Sequence, residues 1–109
     1  MEELLQQLSI SIQGELYFAQ TAEHQMQLMA YSTDASVYQE KPLAVAIPKN
    51  VEDVLTIIDF ANKNNITLIP RAAGTSLAGQ VVGNGMVVDI SKHFNQMIEV
   101  NIEERWCRV

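Results

Sequence analysis

The sequence predicts an α+β fold of α/β-sandwich character, a small β-sheet with flanking helices. Three observations lead there. Short apolar runs rich in β-branched residues recur at 43–47, 66–69 and Met86–Asp89, each bounded by turn residues. A strongly periodic amphipathic helix lies between the first two. Hydrophobic residues make up 48% and charged residues 18% of 109, a balance that supports a buried core and excludes disorder or a coiled coil.

The elements follow in order. Leu4, Leu5 and Leu8 give a short amphipathic helix that ends before Gly14. Residues 21–30 give a second, with Thr21 as its cap. Both read as peripheral, and the pattern changes near Tyr38. Residues 43–47 form a continuous apolar run closed by Pro48, as in a strand buried on both faces. Asn50 then caps a helix in which Val51, Val54, Leu55, Ile58 and Ala61 recur at spacings of three and four. Glu52 and Asp53 in its first turn complement the helix dipole. Residues 62–65 end it, 66–69 and Met86–Asp89 are strands, and 97–100 and 106–109 are two more. The expected organisation is an amino-terminal helical segment, 1–37, followed by a mixed α and β region, 38–109.

Composition excludes several functions. Thirteen acidic against seven basic residues leave a net charge of −6, a field that repels nucleic acid. Cys107 is the single cysteine, so an intrachain disulfide, a CxxC pair and a zinc cluster are all ruled out, and a reducing compartment is expected. Met1, Glu2 and Glu3 make the amino terminus acidic where a signal peptide is basic. No apolar run reaches the ~20 residues needed to cross a bilayer. The expectation is a soluble, cytoplasmic protein.

The chemistry concentrates in the loop after the second strand: Arg71, Ala72, Ala73, Gly74, Thr75, Ser76, Leu77, Ala78, Gly79 and Gln80. Its small residues let a ligand reach the backbone, where successive N–H groups can form an anion nest. Thr75 and Ser76 add hydroxyl donors and Arg71 a fixed positive charge, so a diphosphate fits. Glycines also serve plain tight turns, but such connections take about 2 to 6 residues, and this loop with its continuation to Gly85 is longer. A strand-helix-strand crossover would put it at the carboxyl edge of the sheet, where ligands of open α/β sheets bind. Two familiar phosphate motifs fail. Gly74 and Gly79 have Walker A spacing, but Gln80 stands where a lysine is needed; Gly83-Asn84-Gly85 opens like a dinucleotide fingerprint, but Val88 replaces the third glycine and a strand follows.

A third pattern matches. The runs 33–38 (TDASVY), 42–48 (PLAVAIP), 71–80 (RAAGTSLAGQ) and 88–91 (VDIS) resemble, in order and spacing, the amino-terminal FAD-binding half of flavin-linked oxidases and dehydrogenases. This is the vanillyl-alcohol-oxidase or PCMH type, in the branch of the glycolate oxidase flavin subunit, D-lactate dehydrogenase and D-2-hydroxyglutarate dehydrogenase. The resemblance covers about residues 30–109. It implies that Arg71, Ala72, Ala73, Gly74, Thr75, Ser76, Gly79 and Gln80 bind the diphosphate of FAD, with Ala72 and Ala73 where many relatives have glycine. FAD is expected to be noncovalent, because covalent relatives use a histidine in or near this loop and neither His24 nor His93 lies in it.

The resemblance further implies that 38–109 is the first, incomplete half of the domain. The parent would be a flavoprotein oxidoreductase acting on a 2-hydroxy acid, with its substrate cap and catalytic residues elsewhere; no catalytic residue and no metal ligand is assigned here. The alternative is a stand-alone interaction or assembly module that keeps the fold without catalysis. Other residues read as structural. Asp34 and Tyr38 precede the first strand, where an Asx-turn competes with contact to the cofactor; His93 is a solvated turn residue. Phe18, Met26, Met29 and Tyr31 read as core, and Trp106 beside Cys107 as packed on the sheet.

Overall fold

The computed structural model describes residues 1–109. Its elements are α1 (Glu2–Ser11), β1 (Glu15–Phe18), α2 (Ala22–Ala30), β2 (Ala44–Ile47), α3 (Val51–Asn64), β3 (Leu68–Arg71), β4 (Met86–Asp89), β5 (Glu99–Asn101) and β6 (Trp106–Arg108). The first four strands form one sheet in the order β1-β2-β4-β3. Strands β2, β4 and β3 run parallel, and β1 closes the edge antiparallel to β2. The fold is the expected α+β class.

Side chains alternate across the sheet, which gives the core two layers. On one face Ala44, Ala46, Met86 and Val88 meet Leu5, Leu8 and Ile12 of α1 and the turn after it, with Ile57 of α3. On the other, Val45, Ile47, Val87 and Ile69 meet Leu28 of α2. Strands β2 and β4 are therefore apolar at almost every position because both of their faces are covered. No helix is long and apolar enough to cross a membrane.

Several expectations change. The segment 1–37 contains a strand, β1, that periodicity missed, and its helices are not peripheral, since Leu5, Leu8 and Leu28 are among the most buried residues. Thr21 caps α2 by accepting from the His24 amide, 3.2 Å, as expected. Asn50 caps α3 by accepting from the Asp53 amide, 2.9 Å, but the packed face of that helix is shifted. Ile57, outside the predicted stripe, packs with the sheet residues, and Ala61 of the stripe is buried as expected, whereas Val51, Leu55 and Ile58 of the stripe are 61%, 61% and 43% exposed.

Strand β3 begins two residues later than expected, because Asn65 in the left-handed conformation (φ 54°) ends α3 and the chain straightens only at Leu68. Strands β5 and β6 pair only with each other. Trp106 accordingly does not pack on the main sheet: its Nε1 donates to Glu104, 2.8 Å, and the Arg108 guanidinium covers its ring. Of the residues read as core, Phe18 is buried and Tyr31 half-buried, while Met26 and Met29 of α2 are 73% and 49% exposed.

Candidate functional site

The loop at 72–85 joins β3 to β4, which lie side by side and parallel. A parallel neighbour can be entered only by carrying the chain back along the whole strand, which takes a dozen or more residues. Topology thus explains much of the length that marked this loop, and length weighs less as a sign of function. Its hydrogen bonds weigh more.

The main-chain N–H groups of residues 72–77 have no acceptor anywhere in the chain. Just beyond them the turn is closed internally: the Ser76 hydroxyl donates to Gln80 Oε1 (2.7 Å) and accepts from the amides of Ala78 (3.3 Å) and Gln80 (3.2 Å). Ser76 and Gln80 therefore shape the loop with their side chains. Ala72, Ala73 and Thr75 are exposed, and Gly74 and Gly79 are half-buried. Both glycines take left-handed backbone, φ +70° and +72°, where a side chain is strained. Each is also crowded, Gly74 by the Arg71 guanidinium (2.7 Å from an added Cβ to Cζ) and Gly79 by the Tyr38 ring (2.7 Å to Cδ2).

Arg71 ends β3, and its guanidinium turns back under the loop. Nη1 donates to the carbonyls of Thr33 (2.7 Å) and Tyr31 (3.4 Å), and Cζ lies 5.2 Å from the centre of the Tyr31 ring. The Tyr31 hydroxyl donates to Asp89 Oδ2, 2.5 Å, and Asp89 Oδ1 accepts from the Ser91 amide and hydroxyl. Burial works to raise the Asp89 pKa, but the bonds from Ser91 and Tyr31 and the charge of Arg71 outweigh it, holding the carboxyl below its usual range. Burial, then the bond to Asp89, pushes the Tyr31 phenol up, so it stays a donor.

Asp34 makes the expected Asx-turn, its Oδ1 accepting from the Ser36 amide, 2.8 Å. Its carboxyl is held low by hydrogen bonds from Ser36 and by the charge of Arg71, and Oδ2 is buried without a partner. The eight residues singled out in the sequence thus lie together at the carboxyl edge of the sheet, on a support of Tyr31, Thr33, Asp89 and Ser91, of which only Tyr31 had been read, as core. The hints of that support were the runs 33–38 (TDASVY) and 88–91 (VDIS) within the resemblance.

Residues 42–109 match the family described as FAD binding domain. The chain belongs to that family. Among curated relatives, this FAD-binding chain is 40% identical over 84 residues to a D-2-hydroxyglutarate dehydrogenase of Haemophilus influenzae, covering 74% of this chain and 8% of that protein. It is 34% identical over 77 residues to the glycolate oxidase subunit GlcD of Bacillus subtilis, 69% of this chain and 16% of that one. Its fold matches 6-hydroxy-D-nicotine oxidase from Arthrobacter nicotinovorans with a TM-score of 0.68 at 20% identity, over 84% of this chain and 19% of the other. It therefore spans less than a fifth of the length of these proteins.

FAD is the cofactor of this family, and the loop fits its most charged part. Backbone donors without acceptors, framed by two left-handed glycines where a Cβ would intrude, suit a diphosphate that must approach main chain closely.

Proposed function

We propose that residues 71–80 hold the diphosphate of a noncovalent FAD in an oxidoreductase that oxidises a 2-hydroxy acid of the D-2-hydroxyglutarate, D-lactate or glycolate kind. The observation that carries this reading is the unanswered run of amides at 72–77. In it these amides and the Thr75 hydroxyl bind phosphate oxygens, Ala72, Ala73 and Gly74 admit them by being small, and Arg71 contributes charge from beneath. Ser76, Gly79 and Gln80 hold the turn in shape. A flavin held there would supply the hydride acceptor for oxidation at the hydroxyl-bearing carbon. The residues that position substrate lie outside this chain, and the loop performs no chemical step.

Residues 1–37 in this reading are an amino-terminal layer on the flavin part at 38–109, and the protein is cytoplasmic, as its single cysteine suits. The likeness to D-2-hydroxyglutarate dehydrogenase and to a glycolate oxidase subunit supports an enzyme over a stand-alone assembly module. The test is made on the full-length protein. It should purify with one flavin, lose that flavin on mild acid precipitation, and reduce an artificial electron acceptor with one of the three 2-hydroxy acids. Full-length protein that purifies without flavin and fails to take up added FAD refutes the reading.

A further inference from the structure

The amides at 72–75 make a good anion site only if something holds that backbone still, and the loop does not do so itself. No hydrogen bond within it involves these residues; the Ser76 contacts begin only beyond them. What lies beneath is the Arg71 guanidinium, against which Gly74 packs so closely that an added Cβ would come within 2.7 Å of Cζ and displace it. That guanidinium is fixed in turn by a single short segment: the Tyr31 ring face, the Tyr31 carbonyl and the Thr33 carbonyl. The Tyr31 ring is anchored at its far end by the hydroxyl-to-carboxylate bond to Asp89, at the tip of β4 and in register with Arg71.

Building on the proposed flavin reading, we infer that Tyr31 is a positioning residue for the cofactor loop, acting on Gly74 through Arg71. Tyr31 touches no phosphate. Its bond to Asp89 sets the ring, the ring and its carbonyl set the guanidinium, and the guanidinium sets the height and tilt of Gly74. A long arginine free in solvent samples many rotamers, and immobilising it before the ligand arrives removes an ordering cost that binding would otherwise bear. A charge-assisted bond of this kind, half-buried, is strong enough to do it.

The test is a double-mutant cycle on the full-length apoprotein, with FAD affinity read from the quenching of flavin fluorescence and with riboflavin, which lacks the diphosphate, titrated in parallel. Tyr31→Leu should weaken FAD about tenfold while leaving riboflavin within about twofold, and in an Arg71→Ala background it should have almost no further effect. Tyr31→Phe keeps the ring and loses only the Asp89 bond; it should weaken FAD about threefold, and it serves if the leucine variant does not fold. Equal losses from Tyr31→Leu with and without Arg71, or equal losses for FAD and riboflavin, would show that Tyr31 acts on folding alone and overturn the inference. Ala73→Asp, a negative charge at an exposed loop position, separates the two levels of the claim. If it abolishes FAD binding while Tyr31 variants bind normally, only the inference falls; if it leaves FAD binding intact, the loop assignment falls with it.

Discussion

Two groups of main-chain N–H donors stand at the carboxyl edge of the sheet, and the chain answers one and leaves the other open. Beside the first turn of α3, the amides of Gln13 (2.9 Å), Gly14 (2.8 Å) and Lys49 (2.9 Å) all donate to the carboxylate of Asp53, which is 3% exposed. In the loop after β3, the amides of residues 72–77 meet no acceptor. The physical need is the same, since clustered N–H dipoles favour a negative charge. In the first place the anion is part of the chain and ties the α1–β1 turn, the end of β2 and α3 together. In the second it is left to be supplied from outside. The contrast separates an anion site used for folding from one open to a ligand, a distinction that glycine content alone does not make.

The largest expected effect falls on the closed site. Asp53→Ala removes three part-buried hydrogen bonds from main-chain amides to a buried carboxylate, and it should destabilise the fold by about 3 kcal/mol, given about 1 kcal/mol or more for each bond to a charged group. FAD affinity of the variant that remains folded should be unchanged. The pH dependence has a defined sign. Burial tends to raise the Asp53 pKa, but the amides of Lys49, Gln13 and Gly14 overcome it and hold the value below the usual carboxylate range. Its stabilisation is therefore complete above the unfolded value of about 4 and disappears as pH falls through the lower folded value. Urea unfolding at pH 7 and pH 3 should show wild type and Asp53→Asn differing at the first and converging toward the second. A difference that persists unchanged at low pH would mean that packing, not charge, is what Asp53 provides.

The next effect belongs to the open site. Gly74→Val puts a branched side chain at φ +70°, which strains the loop backbone, and against the Arg71 guanidinium, which must move aside. FAD affinity in the full-length protein should fall about 100-fold, which is about 2.7 kcal/mol. Because residues 72–80 contribute nothing to either core cluster, the sheet should keep its far-ultraviolet circular dichroism. If Gly74→Val and Asp53→Ala reduce stability and affinity in the same proportion, the two sites are not distinct in function and the comparison fails.

How much of this contrast could be read from sequence follows from the reach of local pattern. Helix α3, its Asn50 cap and the strands β2 and β4 were legible because propensity, capping and burial all point the same way within a few residues. The loop was legible because glycines among small residues are a local signal. Strand β1 was not: Glu15, Leu16, Tyr17 and Phe18 alternate over only four residues, and what makes them a strand is pairing with β2, far along the chain. The inward face of α3 was misjudged for a related reason. Val51, Leu55 and Ile58 satisfy the helical period with Ala61, which is buried, as well as Ile57 does, and period alone does not say which apolar residues meet the sheet. Asp53 read as one more acid at a helix start, and Tyr31 as one more apolar residue, because their partners Gly14 and Asp89 lie 39 and 58 residues away.

The smallest predicted effect tests how far the open site depends on its own framework. Ser76 is to the loop what Asp53 is to α3, a side-chain oxygen that gathers nearby amides, but it gathers two at 3.2 and 3.3 Å, carries no charge and stands close to solvent. Water can replace it, as it cannot replace Asp53. Ser76→Ala should therefore leave global stability within about 0.5 kcal/mol, the usual range for a surface substitution. It should nevertheless weaken FAD about threefold, because the turn from Ser76 to Gln80 then samples more conformations before the diphosphate binds. The decisive measurement is amide hydrogen exchange at Ala78 and Gln80 in the apoprotein. Faster exchange at those two positions, with Gln13 and Gly14 unchanged, places the loss in the loop and shows that the two sites are held independently. Exchange that quickens at both places would instead join them in one cooperative unit, and the sheet edge would then respond to its cofactor as a whole.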